Sequence, residues 1–177
     1  RLKAADAIRA GFATHFVPNK LLEELAAGLA ANVDEIDTYI SGFAKDPGKA
    51  PLDEHRHLID HHFSVGSIAD ILAGLDAEDG YWAIETADEL RKKSPTSLRV
   101  THRQLGMGDG LDFDAVMRIE YRMACAFLEG ADFFEGIRAA VIDKDRKPKW
   151  APDCLDDVDE GMTASYFAPV TPELDFD

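Results

Sequence analysis

KSPTSLRVTHRQL, beginning at Lys93, and DFFEGIRAAVIDKDRKPKW, from Asp132 to Trp150, bracket the stretch that decides the fold. Ser94 followed by Pro95 is a cap and then a first-turn residue, since proline lacks only a donor that has no partner there anyway. Residues 111–129 predict the longest helix, and Gly130 is placed to end it in a left-handed turn. Asp132 and Glu135 are placed to cap a following helix whose apolar positions are Phe134, Ile137 and Val141. Every element read from this stretch is helical.

Working outward, the same period holds. Leu21, Leu22, Leu25 and Leu29 form a stripe beside Pro18. Asn32 with Glu35 resembles a capping box and opens a stripe of Ile36, Tyr39, Ile40 and Phe43. KDPGKAP, from Lys45, is rich in turn residues and predicts a loop. A helix over residues 52–63 follows, then one carrying Ile68, Ile71, Leu72 and Leu75 behind the caps Ser67 and Asp70. A segment from Tyr81 ends in Arg91, Lys92 and Lys93, the charge a helix C-terminus favours. Beyond Pro152 a helix is expected to about Phe167, then a frayed acidic tail over residues 168–177. Only residues 13–17 tempt towards a strand. The expected fold class is mainly α, with at most that one short strand.

The chain has 177 residues, of which 46% are hydrophobic, enough for one domain with a real core. Its 19 basic and 34 acidic side chains leave a formal charge of -15. Such a chain repels phosphate backbones and anionic lipid, so nucleic acid and membrane surfaces are disfavoured as partners. No apolar run approaches the ~20 residues of a membrane span. Cys125 and Cys154 make no disulfide framework, and the expectation is a soluble intracellular domain. Leu2, Ala5 and Ile8 already form a helical stripe with no capping residue before it, which predicts a fragment.

Four constellations could carry chemistry. His55, His57, His61 and His62 include a pair four apart, the spacing of two metal ligands on one helix face. The glutamate of an HExxH motif is missing and no distant third ligand is evident, so the metal site is rejected in favour of a solvated polar face. Glu120 falls within an apolar face of Phe113, Val116, Met117, Ala124 and Phe127. A carboxylate there is either a general base or, more commonly, half of a structural ion pair, for which Arg138 is the chosen partner among Arg99, Arg103, Arg122 and Arg138. Ser94, Ser97 and His102 share a segment, but capping explains the serines, and neither cysteine has a cationic neighbour to activate it. No catalytic residue is assigned. KDRKPKW, from Lys144, sets Lys144, Arg146, Lys147 and Lys149 beside Trp150 in an otherwise acidic chain. Such groups suit phosphates and an adenine ring; alternatively, this is a solvated turn with Trp150 anchoring the tail.

The quoted segments, with EYR from Glu120 and RLKAADAIRAGFATHFVP from Arg1, resemble the C-terminal part of 3-hydroxyisobutyryl-CoA hydrolases, thioesterases of the crotonase (enoyl-CoA hydratase/isomerase) superfamily. The resemblance implies that residues 1–17 link to a crotonase core that would precede Arg1, that residues 18–167 form a helical C-terminal domain, and that residues 168–177 are a tail. It places the oxyanion hole and catalytic carboxylates in that core, and an acyl-CoA channel beneath these helices. Lys144, Arg146, Lys149 and Trp150 would then contact coenzyme A, which is substrate here; no cofactor or metal is implied. The expected activity of the parent is thioester hydrolysis in valine breakdown, in the cytoplasm of a bacterium or the mitochondrial matrix of a eukaryote. Hydration or isomerisation of enoyl-CoA is the alternative, and a free-standing helical interaction module is the alternative of another class. The isolated chain is expected to be inactive and to self-associate through apolar faces that the core would cover.

Overall fold

The computed structural model describes residues 2–31 and 34–176. Among them all regular structure is helical and there is no strand; residues 13–17 are irregular, with the Phe16 carbonyl accepting from the Lys45 N–H at 2.9 Å. The chain divides into two compact units, Arg1–His61 and His62–Asp177.

The first unit holds α1 (Ala4–Arg9), α2 (Leu22–Leu29, entered through a 3-10 turn, Asn19–Leu21), α3 (Ile36–Phe43) and most of α4 (Leu52–His62). The first turn of a helix leaves amide donors without intrahelical partners. At the start of α4 one of them, the Leu52 N–H, is taken up by the buried Asp6 carboxylate of α1 at 3.0 Å. Arg9 and Asp53 form an ion pair across the same junction. Between α2 and α3 the approach is close: the Tyr39 ring packs on Phe43 with centroids 5.2 Å apart, and its hydroxyl lies where any side chain at Gly28 would have to be. Glycine is required there because of this contact. The Asn32 half of the expected capping box lies outside the described residues, and Glu35 at the N-cap of α3 makes no side-chain cap bond. Residues 44–50 form the expected loop, with Gly48 at a φ of 83° and its N–H bound to Asp46.

The second unit builds its core in two layers. In α5 (Ile68–Ala77) and α6 (Tyr81–Arg91), Ile68, Ile71, Leu75, Ala83 and Ala87 are buried together, and Leu98 and Leu155 pack against them. In α7 (Pro95–Gly108) and α8 (Phe113–Glu129), Val100 and Met123 meet Phe167, flanked by Ile119, Phe127 and Tyr166. Two caps, Ser67 and Ser94, are where the sequence puts them, and Asp112 and Asp159 add two that it did not single out. Ser67 accepts from the Asp70 N–H and Ser94 from the Ser97 N–H, while Asp112 caps α8 and Asp159 caps α10 (Glu160–Ser165).

Three local expectations are corrected. Gly130 has a φ of -87° and is extended, not left-handed, because α9 (Ala131–Ile137) starts immediately after it and the chain needs a link in place of a reversal. Asp132 and Glu135 do not cap α9; both carboxylates reach instead to other segments. The tail is not frayed. The Arg122 guanidinium grips Glu173 through two nitrogens at 2.7–3.2 Å, Arg118 donates to the Leu174 carbonyl, and its guanidinium stacks over Phe176.

Candidate functional site

Helix α7 organises the site within the second unit. Its residues Ser97 and Thr101, with Lys93 just before it, belong to two open grooves that flank one face of the helix. One groove, about 610 Å³, is walled by Phe63, Val65, Ile71, Leu98 and Leu105. The other, about 580 Å³, is walled by Phe127, Phe133, Ile137, Val141 and Trp150. Val100 of α7 is fully buried and holds the helix to the core. The grooves are predominantly apolar, as small-molecule sites generally are.

Asp132 closes the floor of the second groove. Its buried carboxylate accepts from the Ser94 hydroxyl at 2.6 Å and from the Ala151 N–H at 2.9 Å, so the start of α7, the start of α9 and the irregular segment after Trp150 meet on one side chain. Trp150 packs its ring against Gly136 and donates its indole N–H to the Lys92 carbonyl at 2.9 Å. It therefore anchors the segment while still lining the groove.

The end of α9 passes without a break into a π-turn, Arg138–Ile142, in which the Asp143 N–H bonds back to the Arg138 carbonyl at 2.8 Å. Beyond it Lys144 and Arg146 both have a φ of 56°, the left-handed region. Each such residue costs roughly 1 kcal/mol or more and persists only where its surroundings enforce it. Arg138 is that enforcement. Its guanidinium binds Glu135 through two nitrogens at 2.8 Å and collects Asp143 at 2.6 Å and Asp145 at 2.8 Å. Glu135 also accepts from the Lys149 N–H at 2.7 Å, and Asp145 from the Lys147 N–H at 2.8 Å. Arg138 and these amide donors hold the Glu135 carboxyl down at about 2, and Asp145 is lowered by the Lys147 amide and Arg138. The three carboxylates in turn raise Arg138 above its ordinary value.

Of the predicted contact residues, Lys144, Arg146 and Lys149 are exposed and Trp150 is half-buried. Among the described residues neither Lys144 nor Arg146 forms an ion pair, and the nearby acids Glu135, Asp143 and Asp145 are turned to Arg138. The expected pairing of Glu120 with Arg138 is corrected. Glu120 is exposed and accepts from the Gln104 amide, and the buried side of α8 is Met123 with Ile119 and Phe127 beside it. Arg138 finds closer acids three, five and seven residues away. His57 and His61 lie on the surface, whereas His62 turns inward to Glu78, at 3.2 Å. Cys125 receives the Tyr121 hydroxyl, which raises that phenol. The Arg138 cluster escaped the sequence reading, although Glu135 and Arg138, three apart on one helix, were a usable signal.

The enoyl-CoA hydratase/isomerase family model matches residues 1–167, and the chain belongs to that family. It is 37% identical over 177 residues to the mitochondrial 3-hydroxyisobutyryl-CoA hydrolase of Danio rerio, covering 95% of this chain and 46% of that protein. Among solved structures, a carnitinyl-CoA dehydratase from Mycobacterium thermoresistibile superposes with a TM-score of 0.90 at 38% identity, over 99% of this chain and 50% of that one. An enoyl-CoA hydratase from Rhodobacter sphaeroides 2.4.1 superposes with a TM-score of 0.79 at 36% identity, over 97% and 49%. The chain spans about half the length of the curated relatives it matches. No helix among the described residues is long and apolar enough to cross a membrane.

Proposed function

We propose that this chain is the C-terminal helical region of an acyl-CoA thioester hydrolase acting on 3-hydroxyisobutyryl-CoA, and that it covers the substrate channel without performing the chemistry. The observation that carries this reading is the family match across residues 1–167, with relatives that bear that hydrolase name. Thioester hydrolysis needs donors fixed around the carbonyl oxygen and a carboxylate to act on water or thioester, and both are assigned to the half of the parent outside this chain. The two apolar grooves beside α7 supply a wall for the acyl and pantetheine portions. Lys144, Arg146 and Lys149 meet the phosphates and Trp150 the adenine end, a role favoured by the exposure of these three cations while the local acids turn to Arg138. The parent would work in a mitochondrial matrix or, in a bacterium, in the cytoplasm.

The test is thioesterase turnover of 3-hydroxyisobutyryl-CoA by the 177-residue chain and by the longest protein encoded in the same frame. Turnover by the long form with none by the short one is expected. Turnover by the short chain refutes the reading. The similarity to a carnitinyl-CoA dehydratase favours a second reading, hydration or isomerisation of an enoyl-CoA; a long form that hydrates and does not hydrolyse establishes it. Leu105, Phe134, Val141 and Ile142 are all more than half exposed, so the isolated chain is expected to dimerise or form larger species. Sedimentation velocity that stays monomeric at every concentration would exclude this.

A further inference from the structure

A second concavity, about 360 Å³, lies within the second unit and is polar where the grooves are apolar. Arg99, His102 and Arg103, successive residues on one side of α7, face Thr163 and Glu160 of α10, with Gly66 and Ser67 at the rim. Two arginines four apart on a helix repel each other, a cost the fold normally relieves with acids. This chain has 34 acids against 19 bases, and among the described residues the acid lining this pocket is Glu160, with the Asp70 carboxylate behind Ser67 at 2.6 Å. Arg99 binds the Leu155 carbonyl through two nitrogens at 3.1 and 3.2 Å, a neutral acceptor that fixes the guanidinium without cancelling its charge. His102 meets another neutral acceptor, the Val65 carbonyl, at 3.4 Å. Arg103 lies over the Phe167 ring at 5.2 Å and pairs with Glu160, whose side chain is 80% exposed. A carboxylate so open to water is weakly held.

We propose that this pocket binds a phosphate group, free or on a small ester, with Arg99 and Arg103 as its cationic jaws and Glu160 as the acid it displaces. A dianion replacing a monoanion between two oriented guanidiniums gains charge compensation that Glu160 alone does not provide. The Ser67 and Thr163 hydroxyls line the wall but give their protons to Asp70 and to the Asp159 carbonyl, so the arginines carry the recognition. The proposal is independent of the thioesterase reading.

The experiment titrates inorganic phosphate into the 15N-labelled 177-residue chain at constant ionic strength. It follows the amides of Gly66, Ser67 and Thr163, with acetate and glycerol phosphate as parallel arms. Saturable shifts with phosphate and with glycerol phosphate, and none with acetate, are expected. Arg103→Gln should weaken binding by ~10-fold or more, the loss of one charge-assisted contact. Glu160→Gln should tighten it by ~3-fold or more, since the competitor is gone. This gain separates a binding site from a structural bridge, which the same change would only loosen. Circular dichroism and thermal melting confirm that each variant is folded; if Arg103→Gln unfolds, Glu160→Gln and Arg103→Lys carry the test. Absence of saturation at tens of millimolar phosphate, equal binding of acetate, or weaker binding by Glu160→Gln overturns the proposal.

Discussion

The two units of this chain bury their apolar surface very differently. Among the described residues of Arg1–His61 the buried hydrophobic side chains are Ala5 and Leu25, while Phe12 is 81% exposed and Leu22 and Ile36 are nearly half exposed. Polar ties support this unit, Asp6 on the Leu52 amide and Arg9 with Asp53, beside the ring contact of Tyr39 with Phe43. In His62–Asp177, Leu75, Val100 and Val158 are sealed, and buried residues join into continuous clusters. A segment that cannot remove apolar surface from water has little with which to offset chain entropy. The first unit thus leaves most of its large apolar side chains in contact with water, and the second removes more of them from it.

This contrast can be broken or sharpened by measurement. The largest effect should come from Leu75→Ala, which empties a sealed site and should cost ~2–5 kcal/mol in urea unfolding of the second unit. Leu25→Ala, the matching change in the first unit, should fall below that range, because its site is less enclosed; an equal loss would dissolve the distinction. Asp132→Ala comes next. It leaves the Ser94 hydroxyl and the Ala151 amide without their acceptor and should cost ~1–3 kcal/mol, read from the same transition.

A pH effect follows from Glu135. Its carboxyl is depressed from 4.5 to about 2, so its contribution is complete above pH 4.5 and is lost as pH falls towards 2. Trp150 emission in a Trp82→Phe background should change across that window, and Glu135→Gln should remove the change. Smallest and most local, Glu173→Gln should speed proteolysis after residue 168 without moving the midpoint of unfolding, because only the tail depends on Arg122.

Much of the helical plan was legible. Ser67, Ser94 and the loop from Lys45 to Pro51 announce themselves through local chemistry, as does the stripe of Ile68, Ile71 and Leu75. What the sequence concealed was long-range. Asp132 reads as a cap because acids favour first turns, but its partners Ser94 and Ala151 are far off in sequence. Gly130 suggests a stop because isolated helices end that way, whereas here the next helix dictates an extended link. Glu120 sits among apolar neighbours in the sequence, yet its position on α8 faces out, since the buried strip runs through Met123. Of the candidate site, the cations of residues 144–149 were visible. The acids that hold them in place were visible too, but as charges with no assigned direction.

Arg138 has one further consequence, for kinetics. Arg138 cancels one of the three charges of Glu135, Asp143 and Asp145, and Lys144, Arg146, Lys147 and Lys149 outweigh the remainder, so a molecule of charge -15 carries a positive spot beside Trp150. An anion drifting over this protein is repelled nearly everywhere and drawn in at that spot. Encounters there should be quick in dilute buffer and slow markedly once added salt shortens the range of the field.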